Sequence, residues 1–331
     1  MMAEMTFRDA INKTLDEALE SDPSILLFGE DIAQLGGAFQ VTKGLWKKYG
    51  TRRVRNTPIS EAAILGTAIG TACTGLRPIA EIMFCDFFYI GMDQLVNQMA
   101  KMKYMYGGKA VLSIVVRTTV GAGLSSAAQH AQSNEAMLMH VPGLKLVFPS
   151  TPYDARGLLV SAIADPNPVL FFEHRCLYDV KGPVPDGAYS IPLGVADVKR
   201  RGTDMTIIAT GIMVQRSLKA AEELEKDGIS VEIVDPRTLN PLDVETIFQS
   251  VQKTGRALIV HEAPKTCGAG AEIAAEIAEH AFQYLDAPVM RVCGKNTPIP
   301  FSPVLERFVV PQVEDIAKGA RSLMRNAGTG K

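Results

Sequence analysis

The sequence has few cysteines, and they are far apart. The 331 residues contain only five, namely Cys73, Cys85, Cys176, Cys267 and Cys293. An odd number of widely spaced cysteines favours neither a disulfide framework nor a zinc site, both of which usually show cysteines at short, paired spacings. We therefore expect a protein of the reducing cytoplasm.

Long apolar runs and an excess of one charge are also lacking. No segment approaches the roughly 20 consecutive apolar residues that a membrane-spanning helix needs. The segment MMAEMTFRDAINKTLDEALE (1–20) has no basic region followed by an apolar stretch, as a signal peptide would. The 34 basic and 36 acidic residues give a net charge of −2, whereas nucleic-acid-binding proteins are usually basic. We therefore expect neither a membrane nor a nucleic-acid partner.

The apolar residues that are present follow alternating helix and strand periods. Phe7, Ile11, Leu15 and Leu19 recur every four positions, which predicts an amphipathic helix. The same reading predicts helices near 61–75, 88–105 and 152–164, and strands near 25–29, 78–84, 110–117, 144–149 and 168–172. Short apolar strands between helices predict an α/β fold with a doubly wound, mostly parallel sheet covered on both faces.

One segment rich in glycine, proline and charge interrupts this alternation. It reads KGPVPDGAYSIPLGVADVKRR (181–201), a composition typical of a domain linker. The alternation begins again with the strand MTIIAT (205–210). We therefore predict a first domain over 1–185, a linker over 186–200 and a second, smaller α/β domain over 201–325.

Glu61 is the first candidate site residue, because ligands gather at the carboxyl ends of strands in open α/β sheets and it follows such a strand end. It begins an otherwise apolar helix, EAAILGTAIGTACTG (61–75). It could simply be a first-turn carboxylate that the helix dipole stabilises. Alternatively, apolar surroundings could raise its pKa and let it exchange a proton with a ring nitrogen.

An aromatic cluster follows the strand PIAEIMF (78–84). Phe84, Phe87 and Phe88 could belong to the core, as such clusters usually do. A flat heteroaromatic ligand, however, needs an aromatic face to stack on and an apolar wall. Phe87 and Met83 could supply these.

His130 lies among small residues in GAGLSSAAQHAQS (121–133), where little bulk would shield it from a cleft. A lone histidine is usually structural. With an unperturbed pKa of about 6.5 it could also protonate or orient a reacting oxygen. Gly121 and Gly123 could cradle a phosphate, although the fuller GxGxxG pattern is missing.

A series of ordered blocks runs along nearly the whole chain. They are GED (29–31), TPISE (57–61), GLRPIAEIMFCDF (75–87), DQLVNQMAK (93–101), YMYGGKA (104–110), QHAQS (129–133), PGLKLVFPSTPYDARGLL (142–159), VDPRTLNPLD (234–243) and HEAP (261–264). Together they resemble the β subunit of the thiamine-dependent 2-oxo acid dehydrogenases, a family that includes the pyruvate, branched-chain 2-oxo acid and acetoin dehydrogenases. The resemblance implies a thiamine-diphosphate-binding pyrimidine domain followed by a transketolase-like C-terminal domain.

The resemblance also implies roles for the candidate residues. Glu61 would hydrogen-bond the pyrimidine ring of thiamine diphosphate and promote its imino tautomer, which then removes the thiazolium proton. Phe87 would stack on the ring, and Met83 would form a neighbouring wall. His130 would serve the reacting intermediate and its transfer to lipoamide. The chain departs from most relatives directly after this histidine, where Ala131 replaces the serine of a QHSQ segment.

Two metal ions are implied in the same way. A structural potassium ion would be held by main-chain carbonyls of Ile114, Ala162, Asp165 and Asn167. Magnesium and the diphosphate are bound in thiamine enzymes by a GDG segment with later asparagines, and GDG does not occur in this sequence. The resemblance therefore implies that a partner α subunit supplies those ligands in an α2β2 heterotetramer, which acts together with a dihydrolipoyl acyltransferase core.

The sequence leaves the substrate open. Pyruvate or a related 2-oxo acid, a branched-chain 2-oxo acid and acetoin are the alternatives, and RTTVGAG (117–123) looks closer to the acetoin dehydrogenase form than to the RTPxGGG of many pyruvate enzymes. A non-catalytic nucleotide-binding module is the alternative from another class, since doubly wound domains serve many functions. The missing GxGxxG and the family context of Glu61, Phe87 and His130 argue against it.

Overall fold

The computed structural model describes residues 2–326, which form two compact units. The first unit comprises the chain up to Val120 together with Met137–Leu193. The second unit comprises Gly121–Ala136 together with the chain from Gly194 onward. The segment that carries His130 therefore belongs to the second unit, although the first unit flanks it in sequence.

The first unit alternates strands and helices. Its strands are β1 (Met2–Thr6), β2 (Ile25–Gly29), β3 (Val54–Asn56), β4 (Arg77–Phe84), β5 (Val115–Val120), β6 (Lys145–Val147), β7 (Val169–His174) and β8 (Lys181–Pro185). Its helices are α1 (Phe7–Ser21), α2 (Leu45–Tyr49), α3 (Glu61–Cys73), α4 (Met102–Met105) and α6 (Pro152–Ala164). Helix α5 (Glu135–Met139) begins in Gly121–Ala136, which belongs to the second unit, and ends in the first unit.

The central sheet of the first unit is parallel. Its strands lie in the order β6-β7-β5-β4-β2-β3. β5 and β7 are buried along their whole length, as expected for the middle of a sheet covered on both faces. Helix α1 buries the apolar stripe of Phe7, Ile11 and Leu15, and the Thr6 side chain caps it by accepting a hydrogen bond from the Asp9 amide. β1 and β8 form a separate antiparallel pair.

The second unit has its own sheet. Its strands are β9 (Asp197–Arg200), β10 (Met205–Ala209), β11 (Val231–Asp235), β12 (Thr238–Asn240), β13 (Ala257–Pro264) and β14 (Met290–Gly294). Its helices are α7 (Ile212–Glu225), α8 (Val244–Thr254), α9 (Ala269–His280), α10 (Pro303–Val309) and α11 (Val313–Asn326). Five strands pair in the order β14-β13-β10-β11-β9, all parallel except the edge strand β9. No helix of residues 2–326 is both long enough and apolar enough to cross a membrane.

The predicted doubly wound, mostly parallel fold is confirmed, and the segment predicted as one helix near 88–105 is helical but is not one regular α-helix. The segment 88–105 divides into a 3₁₀ helix (Cys85–Gly91), a π-helical stretch (Asp93–Met99) and α4. Gly91 lies so close to α3 that an added Cβ would stand 2.4 Å from Leu65 Cδ1. Close packing, which periodicity does not reveal, therefore accompanies the change in winding. The strand predicted near 110–117 also begins later, at the start of β5.

Candidate active site

Glu61 is the first residue of α3 and is buried, with 5% of its surface exposed. Ser60 precedes it at the N-cap without making a side-chain cap. Among residues 2–326, no group donates a hydrogen bond to the Glu61 carboxylate. Neither of its oxygens is among the fully buried polar atoms that lack a partner, so the carboxylate stays accessible to a ligand. Its position at a strand-to-helix junction therefore fits a ligand nitrogen as its partner.

A second buried carboxyl group, that of Glu30, is electrostatically coupled to Glu61. Glu30 follows the end of β2 and is buried. Burial raises the pKa of Glu30, and the negative charges of Glu61 and Asp31 raise it further. Glu30 stands in the GED block but was not predicted as a site residue, because only the folded chain shows its electrostatic coupling to Glu61.

Met83 and Phe87 lie at the end of β4 and in the 3₁₀ helix that follows it, and both are partly exposed. Phe84 meets Phe87 edge to face, with ring centroids 5.8 Å apart and planes at 84°. Such a contact fixes the orientation of an aromatic ring. A Cβ added to Gly91, in the same 3₁₀ helix, would lie 3.6 Å from the Glu61 carbonyl oxygen. The helix that carries Phe87 thus packs directly on the one that begins with Glu61.

A buried ion network braces the strands that lead to this site. Arg117 on β5 donates to both carboxylate oxygens of Glu173 on β7 at 2.7 and 2.8 Å, and to Glu81 on β4 at 2.7 Å. The Tyr178 hydroxyl donates to Glu173 at 2.8 Å. Burial lowers the pKa of Arg117, but the charges of Glu173 and Glu81 outweigh it, so the pKa is raised overall. Three neighbouring strands are therefore joined by side chains as well as by their backbones.

His130 lies in the second unit, whereas Glu61, Met83 and Phe87 lie in the first. It is partly exposed, in a loop that closes on itself because the Gly121 amide donates to the Gln132 carbonyl at 3.0 Å. The backbone φ is positive at every second residue from 121 to 127, with values of 89°, 113°, 52° and 59°. The first two of these residues are glycines, which adopt such angles readily, but a serine and an alanine follow.

The predicted potassium ligands all lie in the first unit. The carbonyl of Ile114 accepts a hydrogen bond from a β7 amide at 2.9 Å, and that of Ala162 accepts one from the Asp165 amide at 3.3 Å. Each of these carbonyls has a second lone pair that a cation could share. The Asp165 side chain binds Lys145 Nζ at 2.5 Å and the Asn167 amide at 2.9 Å. The potassium site stays a prediction.

Two families of known domains match the chain. Residues 3–181 match the pyrimidine binding domain of transketolase, and residues 194–316 match the transketolase C-terminal domain. A solved structure titled split gene transketolase, inactive beta4 tetramer, is similar with a TM-score of 0.79 and 23% identity, covering 98% of this chain and 99% of the other. At this identity the likeness concerns the fold alone.

Curated relatives match over almost the full length. The β subunit of acetoin:2,6-dichlorophenolindophenol oxidoreductase from Cupriavidus necator is 47% identical, with 98% of this chain and 99% of the relative covered. From Bacillus subtilis, the pyruvate dehydrogenase E1 component subunit beta is 48% identical (98% and 99% covered) and the 2-oxoisovalerate dehydrogenase subunit beta is 44% identical (97% and 99% covered). With both domains matched and the identity spread over the whole length, the chain belongs to the family of β subunits of the thiamine-dependent 2-oxo acid and acetoin dehydrogenases.

Proposed function

We propose that this chain is the β subunit of a thiamine-diphosphate-dependent dehydrogenase that cleaves pyruvate, a related 2-oxo acid or acetoin and passes the acyl group to lipoamide. The observation that carries the proposal is the Glu61 carboxyl group. It is buried at the start of α3, and no described residue donates a hydrogen bond to it. A carboxyl group that exchanges a proton with a ring nitrogen must lie within hydrogen-bond reach of that nitrogen, and the Glu61 oxygens are accessible for such a contact.

The residues of the first unit fit the pyrimidine ring of the cofactor. Bound thiamine diphosphate would supply a thiazolium ring that accepts the electron pair released by the substrate. Glu61 would hold a proton on the hydrogen bond between its carboxyl oxygen and a pyrimidine nitrogen. Phe87, with its orientation fixed by Phe84, would present an aromatic surface, and Met83 would exclude water beside it.

His130 would serve the later part of the reaction. Its imidazole is partly exposed, so it can meet a substrate oxygen and form a hydrogen bond there. The closed loop around it limits the positions that the ring can take. We assign His130 to the reacting substrate and Glu61 to the cofactor ring.

The remaining parts of the site would come from elsewhere. Because the sequence has no GDG segment, we assign the magnesium and diphosphate ligands to an α subunit in an α2β2 heterotetramer. The acyl group would pass to a dihydrolipoyl acyltransferase core. A potassium ion on the carbonyls of Ile114, Ala162, Asp165 and Asn167 would be structural. The five free cysteines suit a cytoplasmic location.

The experiment that tests this function is co-expression with the α subunit, followed by an assay of thiamine-dependent dye reduction. Pyruvate, a branched-chain 2-oxo acid and acetoin are each offered to the purified assembly. We expect reduction with at least one of them that requires both chains and thiamine diphosphate. An assembled heterotetramer that reduces the dye with none of the three substrates would contradict the proposal. The substrate preferred among the three then decides which branch of the family the enzyme represents.

A further inference from the structure

The loop that carries His130 presents a row of backbone amides to a buried carboxylate. Glu306 on α10 is 5% exposed. Its Oε1 accepts a hydrogen bond from the Gly123 amide at 2.8 Å, and its Oε2 accepts one from the Ser125 amide at 3.0 Å. No cation of the described residues lies within ion-pair distance of this carboxylate. The loop amides therefore provide the hydrogen bonds that compensate a buried negative charge.

A second buried glutamate holds the preceding residue. Glu262 on β13 is 7% exposed, and its Oε1 accepts a hydrogen bond from the Ala122 amide at 2.5 Å. Three amides within four residues thus converge on two carboxylates. Hydrogen bonds from amides to ionised acceptors are shorter and stronger than those between neutral groups.

The backbone conformation of the loop explains why a negative charge suits it. Residues with positive φ alternate with others from 121 to 127, and such alternation turns successive amides toward one side. Concavities of this kind, called nests, bind anions. Ser125 and Ala127 take positive φ values of 52° and 59°, which a side chain disfavours. The loop therefore needs an outside partner to keep its shape, and the carboxylates of Glu262 and Glu306 are that partner.

We propose that Glu306, with Glu262, is a positioning residue for the reaction: it holds the 121–132 loop in the conformation that places His130. This inference rests on the proposed function of His130. The carboxylate acts through the loop and touches no substrate. Its charge is required, because an amide side chain accepts at one oxygen only and its NH₂ group would face the amides as a second donor.

The test compares Glu306→Gln and Glu306→Ala with a matched control, Glu314→Gln, in the heterotetramer assembled with the α subunit. Glu314 is an exposed glutamate of the same unit, with 68% of its side chain accessible, and it pairs with Arg307 of α10 at 3.2 Å. Glu314→Gln therefore also controls for a disturbance of α10 that leaves the loop amides and Glu306 in contact. The first measurement is hydrogen–deuterium exchange of the peptide 121–136, which reports on the loop amides without reference to activity. We expect at least tenfold faster exchange in both Glu306 variants and no change in Glu314→Gln.

The second measurement separates positioning from general damage. Since a misplacement of about 1 Å can cost on the order of 100-fold in rate, kcat should fall between tenfold and 100-fold in Glu306→Gln and further in Glu306→Ala. KM for the substrate and proton exchange at the thiazolium carbon should stay near those of wild type. The effects of His130→Ala and Glu306→Gln on kcat should be non-additive, because both substitutions remove the contribution of a correctly placed His130 imidazole.

Unchanged loop exchange in Glu306→Ala would overturn the inference, as would fully additive effects with His130→Ala. The loop measurement also keeps this inference separate from the proposed function. If the wild-type assembly shows no thiamine-dependent turnover, the proposed function fails, while the amide exchange still decides whether Glu306 holds the loop. If wild type is active and Glu306→Gln matches Glu314→Gln in both measurements, only the positioning role fails.

Discussion

At the scale of single residues, the substitution Glu61→Gln distinguishes a structural role of Glu61 from a catalytic one. As a helix-terminus charge it would contribute roughly 0.3–1 kcal/mol to stability. Glu61→Gln would then leave turnover almost unchanged. As the partner of the pyrimidine nitrogen it must pass a proton, which an amide cannot do, so we expect a loss of about 10²–10⁴-fold in turnover.

The measurement for Glu61→Gln is hydrogen–deuterium exchange at the thiazolium carbon in heterotetramers saturated with cofactor. Thermal stability and assembly with the α subunit serve as controls, and both should change little because the substitution is nearly isosteric. Equal exchange rates in wild type and variant would return Glu61 to a structural role.

For Glu30 we predict that removing the charge increases the stability of the fold. Its folded-state pKa is raised by burial and by the charges of Glu61 and Asp31. Because the pKa is raised, the ionised form of Glu30 is less favourable in the folded chain than in the unfolded chain. The stability contributed by the neutral form is fully present below the ordinary pKa of the group and is lost as the pH rises through the raised value. Glu30→Gln, which carries no charge, should therefore increase the unfolding temperature at pH 7.

Unfolding curves from pH 4 to pH 8 check the Glu30 prediction. The difference between Glu30→Gln and wild type should shrink as the pH falls, since acid protonates Glu30 in both states. Glu222→Gln, a change at an exposed position of α7, is the matched control and should show no such trend. A destabilised Glu30→Gln at pH 7 would mean that Glu30 makes a favourable interaction as an anion.

At the scale of elements, β13 carries a histidine that should make the second unit sensitive to acid. His261 is 1% exposed, and within residues 2–326 neither ring nitrogen has a hydrogen-bond partner. Its ring lies under the start of α9, where Cβ atoms added to Gly268 and Gly270 would each stand 2.5 Å from it. Burial, and secondarily the charge of Arg291, lowers the pKa of His261 from 6.5 to about 4.

The lowered pKa fixes the direction of the pH dependence. Between pH 6.5 and 4 the unfolded chain takes up a proton at His261 that the folded chain does not, so the free energy of unfolding should fall on acidification. The shift corresponds to about 3 kcal/mol over that range. Denaturant titrations at several pH values should show a smaller acid loss in His261→Gln than in wild type. His280→Gln, at an exposed histidine, should behave like wild type.

The ion network across β4, β5 and β7 predicts a large stability effect. Arg117→Met would leave Glu81 and Glu173 buried without their cation, and breaking a buried pair costs about 3–5 kcal/mol. Urea unfolding of the variant measures the loss. Adding Glu81→Gln and Glu173→Gln should recover much of it, because the uncompensated charges are then removed. If Arg117→Met alone were as stable as wild type, the buried carboxylates would not depend on the Arg117 guanidinium, and the prediction would be wrong.

Elements with a strong apolar period could be predicted from the sequence, whereas those set by tertiary contacts could not. Helix α1 has a stripe from Phe7 to Leu19, and the structure has it at Phe7–Ser21. Strand β9 lies in a segment whose composition is typical of a linker and forms by antiparallel pairing with β11. The winding of Cys85–Gly91 depends on the close approach of Gly91 to α3.

In the candidate site, too, residues in local motifs could be predicted from the sequence, whereas those that act through tertiary contacts could not. Glu61, Met83, Phe87 and His130 stand in short motifs that a resemblance can transfer residue by residue. Glu262 and Glu306 act on the loop amides across 140 and 183 residues of sequence, so no local pattern connects them to His130. Glu262 stands in the HEAP block, but the block alone does not reveal which backbone it binds.

At the scale of the whole molecule, the isolated chain should bind thiamine diphosphate poorly. In the proposed function Glu61, Met83 and Phe87 would meet the pyrimidine ring, but the sequence has no GDG segment for magnesium and the diphosphate. Calorimetry with magnesium present should give weak binding for this chain alone and tight binding for the heterotetramer. Tight, magnesium-dependent binding by the isolated chain would contradict a site divided between two subunits.

The hydrogen bonds from the loop amides to Glu306 have a consequence for biosynthesis. A ribosome adds about 5–20 residues per second. The 183 residues that separate Gly123 from Glu306 therefore correspond to a delay on the order of 10–40 s. During that interval the loop has been made, but the carboxylate that accepts hydrogen bonds from its amides has not. The nascent chain thus cannot complete the surroundings of His130 until nearly all of it has been translated, and a chain released early lacks a finished loop even when its first sheet has folded.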